Sequence, residues 1–248
     1  MTRHGAPERY VHALRFAWLT PAYDLVVAAT TRERRVKTAL IDQALVGPAH
    51  HVLDLACGTG TLAVWTKQRH PTAELRGLDG DTSVLARAAR KARRLGVEVQ
   101  FDHGLSTRLP YADASFDRVL CSLFFHHLNW SDKQATAREI LRVLRPGGEL
   151  HVADWGPPSG VLARVGFFFV RCLDGFDNTR DNAQGRLPLL FRQAGFDGVA
   201  ELQTFDTVFG TLVLYRALRP QRSLDRPQAQ QRRDAYAEGA FIRGEPIP

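Results

Sequence analysis

The chain has 248 residues, of which 44% are hydrophobic and 24% are charged, so it can bury a core and is not of the intrinsically disordered class. Its formal net charge is +7, and the densest basic cluster falls on one face of a predicted helix, at Arg87, Arg90, Lys91 and Arg94. No aromatic platform accompanies this cluster, so we interpret it as a solvated helix face and expect no nucleic-acid partner. The longest apolar run, Val165–Val170, is far too short to cross a bilayer, and no integral membrane segment is expected.

The three cysteines, Cys57, Cys121 and Cys172, have neither CxxC spacing nor an even count. This pattern predicts free, buried thiols in a reducing compartment. The start of the chain lacks the basic-then-apolar pattern of a signal peptide. We therefore expect a cytoplasmic location.

The first part of the chain predicts helices. Apolar residues recur at helical spacing in 10–19 and again in 22–45, and Gly47-Pro48 is expected to end the second helix. We predict that residues 1–48 form an N-terminal helical lid.

Beyond the lid, strands and helices alternate. Short apolar runs that end in turn residues predict strands, and the stretches between them have helical periodicity. The predicted strands are 51–56, 74–79, 97–102, 116–123 and 149–154, and the predicted helices are 61–69, 82–95 and 131–144, with Ser131 as a helix N-cap. This order predicts a doubly wound, mostly parallel sheet with helices on both faces.

The last part of the chain departs from this alternation. Two strand-like runs, 199–208 and 210–218, follow each other with no helix between them, so they must pair antiparallel. We therefore predict a Rossmann-like α/β fold whose seven-stranded sheet ends in an antiparallel hairpin. The predicted organisation is a domain at 49–218, a helical insertion at 159–196 within it, and a polar, loosely ordered tail at 219–248.

Two glycines, Gly58 and Gly60, follow the first predicted strand in the stretch HVLDLACGTGTLAV. Glycine permits the sharp turn and the close backbone approach that a ligand needs beyond the carboxyl end of a strand. Gly58-x-Gly60-x-x-Ala63 matches a dinucleotide fingerprint, and Asp79 ends the second strand 21 residues after Gly58. Two cofactors fit this geometry, a nicotinamide dinucleotide and S-adenosylmethionine.

Four stretches together resemble the class I S-adenosylmethionine-dependent methyltransferases, in particular the branch of the ubiquinone and menaquinone biosynthesis C-methyltransferases. They are VLDLACGTG, LRGLDGDTSVLARAARKA, RLPYADASFDRVLCSLFFHHL and EILRVLRPGGELHVADWG, in the family's order over about residues 50–156. The resemblance implies S-adenosylmethionine as the cofactor.

The cofactor contacts are expected at strand ends and in the glycine turn. Asp54 is expected near the cofactor's ammonium group and to accept hydrogen bonds from the glycine turn, and Asp79 to accept two from the ribose hydroxyls. The alternative for both carboxylates is that each merely caps a nearby helix or turn. The full expected set is Tyr23, Asp54, Ala56, Cys57, Gly58, Thr59, Gly60, Asp79, Gly80, Gly104, Leu105 and Ser122.

One position departs from the family pattern. Many relatives place an acid near the adenine amino group, and the aligned residue here is Leu105. We expect apolar contact and backbone groups of residues 104–106 to hold the adenine, since Asp102 is displaced from that position.

Catalytic groups are expected at the carboxyl ends of the fourth and fifth strands. His126 and His127 can each take a proton near neutral pH, although adjacent histidines are not expected to point the same way, and Asp154 can act as a base or contact the acceptor. The alternative is that the histidines tie the loop to the backbone and that Asp154 forms a turn. Without HxxxH or CxxC spacing or a GxSxG elbow, neither a metal site nor a serine hydrolase is expected.

Two segments are expected to close the acceptor pocket, the N-terminal helices and the insertion at 159–196. The phenylalanine-rich start of the insertion indicates an apolar or aromatic acceptor, or transient contact with a membrane that holds one. The alternative is that Phe167–Phe169 are core residues of a packing helix. Arg180 and Asn182 are weaker candidates for substrate contacts.

The sequence thus predicts a methyltransferase that acts on a small molecule at carbon or oxygen, and less readily at nitrogen. One rival is an NAD(P)-dependent oxidoreductase, whose Tyr-x-x-x-Lys constellation is missing from the chain. The other is a cofactor-binding regulatory protein without turnover. The oligomeric state is left open.

Overall fold

The computed structural model describes residues 32–221. The predicted helix at 10–19, Tyr23 and the tail from residue 222 lie outside the described residues. The helices are α1 (Glu33–Gln43), α2 (Thr61–Arg69), α3 (Thr82–Arg94), α4 (Trp130–Val143), α5 (Val161–Asp174), α6 (Phe176–Ala183) and α7 (Leu187–Ala194), with a 3-10 turn at Phe125–His127. The strands are β1 (His51–Leu55), β2 (Glu74–Asp79), β3 (Gln100–His103), β4 (Phe116–Ser122), β5 (Leu144–Trp155), β6 (Asp197–Thr207) and β7 (Gly210–Leu218).

The seven strands form one sheet in the order β3-β2-β1-β4-β5-β7-β6. The first five strands pair in parallel, and β7 is antiparallel to both β5 and β6. The predicted Rossmann-like sheet with a closing antiparallel hairpin is therefore confirmed. The strand order reverses between β1 and β4, and open α/β sheets bind ligands at the carboxyl ends of strands at such a switch point.

Helices cover both faces of this sheet, which explains why its central strands are apolar on both sides. One core packs α4 and α7 against the sheet and is centred on Ile140, Phe191 and Tyr215. The other packs α1, α2 and α5 on the opposite face and includes Leu40 and Phe167. Neighbouring residues of β1 divide between the two cores, as the two-residue period of a strand requires.

Most predicted elements are present, and several of their bounds differ: β3, for example, begins at Gln100 and not at residue 97. Helix α4 begins one residue earlier than predicted because Asn129, not Ser131, is its N-cap and accepts the Asp132 N–H at 2.9 Å. Strand β5 begins at Leu144, five residues before its predicted start at 149, and its pairing with β4 shifts register there. Cys172 is exposed, whereas Cys57 and Cys121 are buried as expected. Across residues 32–221, no helix combines the length and apolarity that a membrane crossing requires.

The insertion between β5 and β6 folds as α5, α6 and α7. Helix α5 lies against the sheet through Phe167, whose ring centroid is 5.7 Å from that of Trp155 at the end of β5. Gly166 makes the closest approach, because a Cβ added there would overlap the carbonyl oxygen of Val208 in the β6–β7 turn. Helix α5 is thus held between the end of β5 and the closing hairpin.

Replacing Gly166 with Ala should therefore destabilise the fold, by about 1–3 kcal/mol, because α5 must move away from the hairpin. Chemical denaturation of both proteins measures this difference. Val165→Ala is the matched control on the exposed side of the same helix turn and should change the free energy of unfolding little. Equal stability of Gly166→Ala and the parent chain would contradict the close packing described above.

Candidate functional site

The glycine turn connects β1 to α2 in a left-handed backbone path. Gly58 and Gly60 have φ of +52° and +72°, and even Ala56 is left-handed, with φ of +55°. The Cys57 N–H donates to the Leu78 carbonyl at 3.0 Å, which fixes the turn to the end of β2. A Cβ at Gly58 would meet no atom within 4 Å, so the outer side of the turn is open.

Asp79 holds this turn from the neighbouring strand. Its Oδ2 accepts the Gly58 N–H at 2.8 Å and its Oδ1 accepts the Asp81 N–H at 3.0 Å. Each carboxylate oxygen has two acceptor sites, so each retains one for a further donor. Burial raises the pKa of Asp79 from its ordinary value, and these backbone donors oppose the shift. The side chain can therefore cap the turn and still accept from two vicinal hydroxyls.

Asp54 lies buried at the end of β1 and faces the first turn of α2. Its Oδ2 accepts the Ala63 N–H at 2.9 Å, so it caps this helix. The expectation that Asp54 accepts from the glycine-turn amides is wrong, because the Gly58 N–H goes to Asp79 instead. Burial raises the pKa of Asp54 to about 7, and the Lys37 ammonium on α1 opposes this shift. A cation beside Asp54 would stabilise its charged form.

A lysine on α3 also binds the glycine turn and the first residue of α2. The Lys91 Nζ contacts the Thr59 and Thr61 hydroxyl oxygens at 3.2 and 2.7 Å. The interpretation of the basic cluster as a solvated helix face is therefore wrong for Lys91. It holds for Arg87, Arg90 and Arg94, whose side chains are exposed. The helical spacing alone placed Lys91 with the arginines, and only the packing of α3 on the turn separates them.

The predicted adenine contacts lie just after β3. The Gly104 N–H donates to the Asp79 carbonyl at 3.1 Å, and Leu105, partly buried, pairs with Arg108. Asp102 faces elsewhere, since its Oδ2 accepts from the Tyr111 hydroxyl at 2.9 Å and from Arg76 at 3.1 Å. The structure thus places Gly104 against the backbone of Asp79, whereas the Ser106 hydroxyl lies 2.9 Å from that of Thr136 on α4 and Asp102 serves another contact.

Three further expected cofactor residues, Cys57, Gly80 and Ser122, lie at or just after the carboxyl ends of β1, β2 and β4. Burial raises the pKa of the Cys57 thiol, so this thiol is unreactive. The Gly80 carbonyl lies 3.1 Å from the His103 Nε2, and Ser122 ends β4 opposite Ala153 of β5. Tyr23 is outside the described residues.

Asp154 is the centre of a buried network at the end of β5. Its Oδ2 accepts the N–H groups of Phe124 and Phe125 at 3.1 and 2.7 Å. Its Oδ1 accepts from the Trp155 N–H, the His126 Nδ1 and the Asn182 Nδ2, at 2.7, 2.7 and 3.2 Å. With five donors and no exposed surface, Asp154 holds the loop after β4 in place.

The two histidines lie together beside this carboxylate. Their ring centroids are 4.0 Å apart, so the expectation that they point in different directions is wrong. His126 is buried, and since a carboxylate only accepts, its Nδ1 donates to Asp154. Burial and the neighbouring His126 hold the pKa of His127 well below the ordinary value. His126 therefore has the carboxylate partner that a general base needs, and His127 stays neutral at neutral pH.

Sequence reasoning undervalued Asn182, which it named only as a weak substrate contact. The Asn182 Nδ2 joins α6 to Asp154 and to the Trp155 carbonyl at 3.0 Å. Nothing in the local sequence of α6 signals this contact, because the partners lie 27 and 28 residues away in the chain. No group of three or more potential metal ligands occurs between residues 32 and 221.

The residues present fit S-adenosylmethionine better than they fit a dinucleotide. A dinucleotide-binding turn offers the free N–H groups of a helix N-terminus to a diphosphate. Here the Ala63 N–H is already taken by the Asp54 carboxylate. A carboxylate at this place disfavours a diphosphate and favours an ammonium group, whereas Asp79 can accept from the ribose hydroxyls of either cofactor. The site is therefore an S-adenosylmethionine site on a Rossmann-like sheet.

Comparisons with known proteins agree with the assignment of this edge to S-adenosylmethionine. The family described as "Methyltransferase domain" matches residues 52–148. Demethylmenaquinone methyltransferase of Thermus thermophilus is 37% identical over 158 residues, which cover 61% of this chain and 71% of the relative. Demethylmenaquinone methyltransferase of Deinococcus radiodurans is 38% identical over 153 residues, which cover 60% of this chain and 63% of the relative. The crystal structure of the YcgJ protein from Bacillus subtilis superposes with a TM-score of 0.64 at 20% identity, over 76% of this chain and 99% of that one, and shows the same fold.

The chain belongs to the class I S-adenosylmethionine-dependent methyltransferases, in the branch of the ubiquinone and menaquinone biosynthesis methyltransferases. The similarity does not extend over whole proteins, since the aligned region spans 63% of the Deinococcus protein and 71% of the Thermus protein.

Asp79→Ala should weaken S-adenosylmethionine binding by about 1.5–3 kcal/mol, because it removes charged hydrogen bonds to the ribose. Isothermal calorimetry measures the affinity. Asp81→Ala is the matched control, since it removes the N-cap of α3 through the Ser83 N–H but no expected ribose contact. Unchanged affinity of Asp79→Ala would exclude the ribose role of Asp79.

The affinity for S-adenosylmethionine should fall as the pH drops below the raised pKa of Asp54. The cofactor's ammonium group needs the charged carboxylate, and protonation of Asp54 should cost about five- to tenfold in affinity between about pH 7.5 and about pH 6. Calorimetry across this range measures the slope. Asp54→Asn keeps an acceptor for the Ala63 N–H and should flatten the slope. The same slope in both proteins would show that another group titrates.

Proposed function

We propose that the protein methylates a ring carbon of an aromatic diol of the quinol type. The relatives from Thermus and Deinococcus are named as demethylmenaquinone methyltransferases, and another, from Bdellovibrio bacteriovorus, as a C-methyltransferase of ubiquinone and menaquinone biosynthesis. The contact that carries the proposal is that of the His126 Nδ1 with the Asp154 Oδ1, at 2.7 Å beside the cofactor edge.

The surroundings of His126 suit an aromatic acceptor. The His126 and Trp155 ring centroids are 6.4 Å apart in an edge-to-face arrangement, and partly buried Phe124 precedes the 3-10 turn. Aromatic walls with one polar group at a fixed place are typical of sites for flat apolar ligands. His127 adds a neutral ring to this surface. We infer that the acceptor ring lies among these side chains, between the end of β4 and helix α5.

His126 is the proposed general base. When bound, S-adenosylmethionine supplies a methyl group attached to a positively charged sulfur. An electron-rich carbon can attack this methyl group, and the sulfur leaves as a neutral thioether. The His126 Nε2 takes the proton of the acceptor hydroxyl, which makes the neighbouring ring carbon a stronger nucleophile. After methyl transfer, the methylated carbon loses its hydrogen as a proton and the imidazolium returns its proton to the oxygen, which restores the aromatic diol. The Asp154 carboxylate fixes the imidazole by its Nδ1–H and stabilises the imidazolium that forms. Asp154 acts through His126 and is a positioning residue.

His126→Gln should lower kcat for a short-chain naphthoquinol by about 10²–10⁴-fold, because the general base is lost. Product formation from S-adenosylmethionine with a deuterated methyl group, followed by mass spectrometry, measures the rate and locates the methyl carbon. Cofactor affinity should stay unchanged, since the described hydrogen bond of His126 is with Asp154 at the end of β5.

His51→Gln is the matched control for this experiment. His51 begins β1 at the opposite edge of the sheet and lies 3.3 Å from Glu74, so its replacement should leave kcat unchanged. Equal rates for His126→Gln and the parent chain would remove His126 from the mechanism. Cofactor binding without methylation of any quinol or catechol would favour the regulatory protein considered from the sequence.

A further inference from the structure

Helix α5 is apolar on two opposite sides. Its inner side, buried against the sheet and the hairpin, carries Ala163, Gly166, Phe167 and Val170. Its outer side carries apolar residues at the helical spacing of one continuous face, and they are exposed. Soluble helices usually place polar residues on the face away from the core, so the outer side of α5 needs a separate explanation.

The outer patch consists of Val161, Val165, Phe168, Phe169 and, from α6, Phe176. Val161 and Val165 are 77% and 54% exposed, and Phe168 and Phe169 are 53% and 58% exposed. The Phe168 ring lies 6.2 Å from that of Phe169 and 5.7 Å from that of Phe176, so the aromatic rings form one cluster. The sequence left open whether these phenylalanines were core or surface; Phe167 is core, and Phe168 and Phe169 are surface.

Arginines accompany the outer patch. Arg164 is exposed on the same helix face, one turn before Phe168, and the Arg171 guanidinium lies 4.7 Å from the centroid of the Phe176 ring. Residues 161–180 contain three arginines, of which Arg180 is the third, and two aspartates, so this segment has a net positive charge. The whole chain carries a net charge of +7. An apolar helix face with arginines at its sides is suited to the boundary between lipid headgroups and acyl chains.

We propose that the outer patch docks the protein on an anionic lipid bilayer. A second copy of the chain is a poorer occupant, because a two-fold contact through this face would bring like-charged Arg164 side chains together. A bilayer instead offers phosphate groups to the arginines and hydrocarbon to the phenylalanines. The proposal rests on the proposed function to the extent that an apolar quinol-type acceptor partitions into membranes.

The same two helices connect the outer patch to the site. On their inner sides, Phe167 contacts Trp155, and the Asn182 Nδ2 donates to Asp154. Docking by the outer sides of α5 and α6 would therefore hold the proposed acceptor pocket directly against the lipid surface. The acceptor ring could then enter without crossing water.

Vesicle co-sedimentation of the full chain tests the proposal without any methyl acceptor. The protein should sediment with vesicles of phosphatidylcholine that contain about 30% phosphatidylglycerol, and less with phosphatidylcholine alone or at high salt. The double variant Phe168→Ser/Phe169→Ser should bind at least about tenfold more weakly. Arg164→Gln should bind about fivefold more weakly, with a smaller dependence on salt.

The double variant Leu189→Ser/Leu202→Ser is the matched control, because it removes two other exposed apolar side chains, from α7 and β6. It should bind vesicles like the parent chain. Unchanged affinity for S-adenosylmethionine shows that each variant is folded.

Three results would overturn the proposal. The first is no sedimentation of the parent chain with anionic vesicles, and the second is an equal loss of binding in the control. The third is a dimer that Phe168→Ser/Phe169→Ser dissociates in sedimentation velocity, which would assign the outer patch to a second copy. Vesicle binding is measured without any methyl acceptor. Failure of the docking proposal can therefore be distinguished from failure of the proposed function.

Discussion

Carboxylates at the ends of parallel strands organise the functional edge of this protein by accepting backbone N–H groups from the loops that follow. Asp54 caps α2, Asp79 holds the Gly58 N–H of the glycine turn, and Asp154 holds the loop after β4. Parallel strands leave such donors unpaired where they end, and a buried donor without a partner is costly. The three acids satisfy these donors and give the edge its shape and its negative charge.

That negative charge decides which cofactor the edge accepts. A diphosphate would meet Asp54, which already caps the helix N-terminus that usually attracts a diphosphate. A cationic ligand gains from the same arrangement, because it restores the charged form of Asp54. The dinucleotide-like spacing of glycines is therefore compatible with two cofactors in sequence, and the direction of the carboxylates selects one.

The insertion after β5 connects two different environments. Its inner side completes the network around Asp154 through Asn182, and packs Phe167 on Trp155. Its outer side presents phenylalanines and arginines to the surroundings. A segment placed in this way is suited to set the acceptor preference, because it contacts Asp154 on one side and presents an apolar surface on the other. The central sheet, by contrast, serves the cofactor.

The sequence alone determined the order of strands and helices, the antiparallel end of the sheet, and the placing of Asp54, Asp79 and the glycine turn at one edge. These follow from short-range periodicity and from the rule that parallel strands end at a common edge. Tertiary structure alone decided which N–H each acid accepts, that Lys91 contacts the turn while its arginine neighbours are exposed, and that Asp154 holds the loop after β4. It also separated buried Phe167 from exposed Phe168. Such choices depend on contacts between residues that lie outside one helical turn or one strand, as for Lys91 with Thr59 and Asp154 with His126, and helical or strand periodicity carries no information on them.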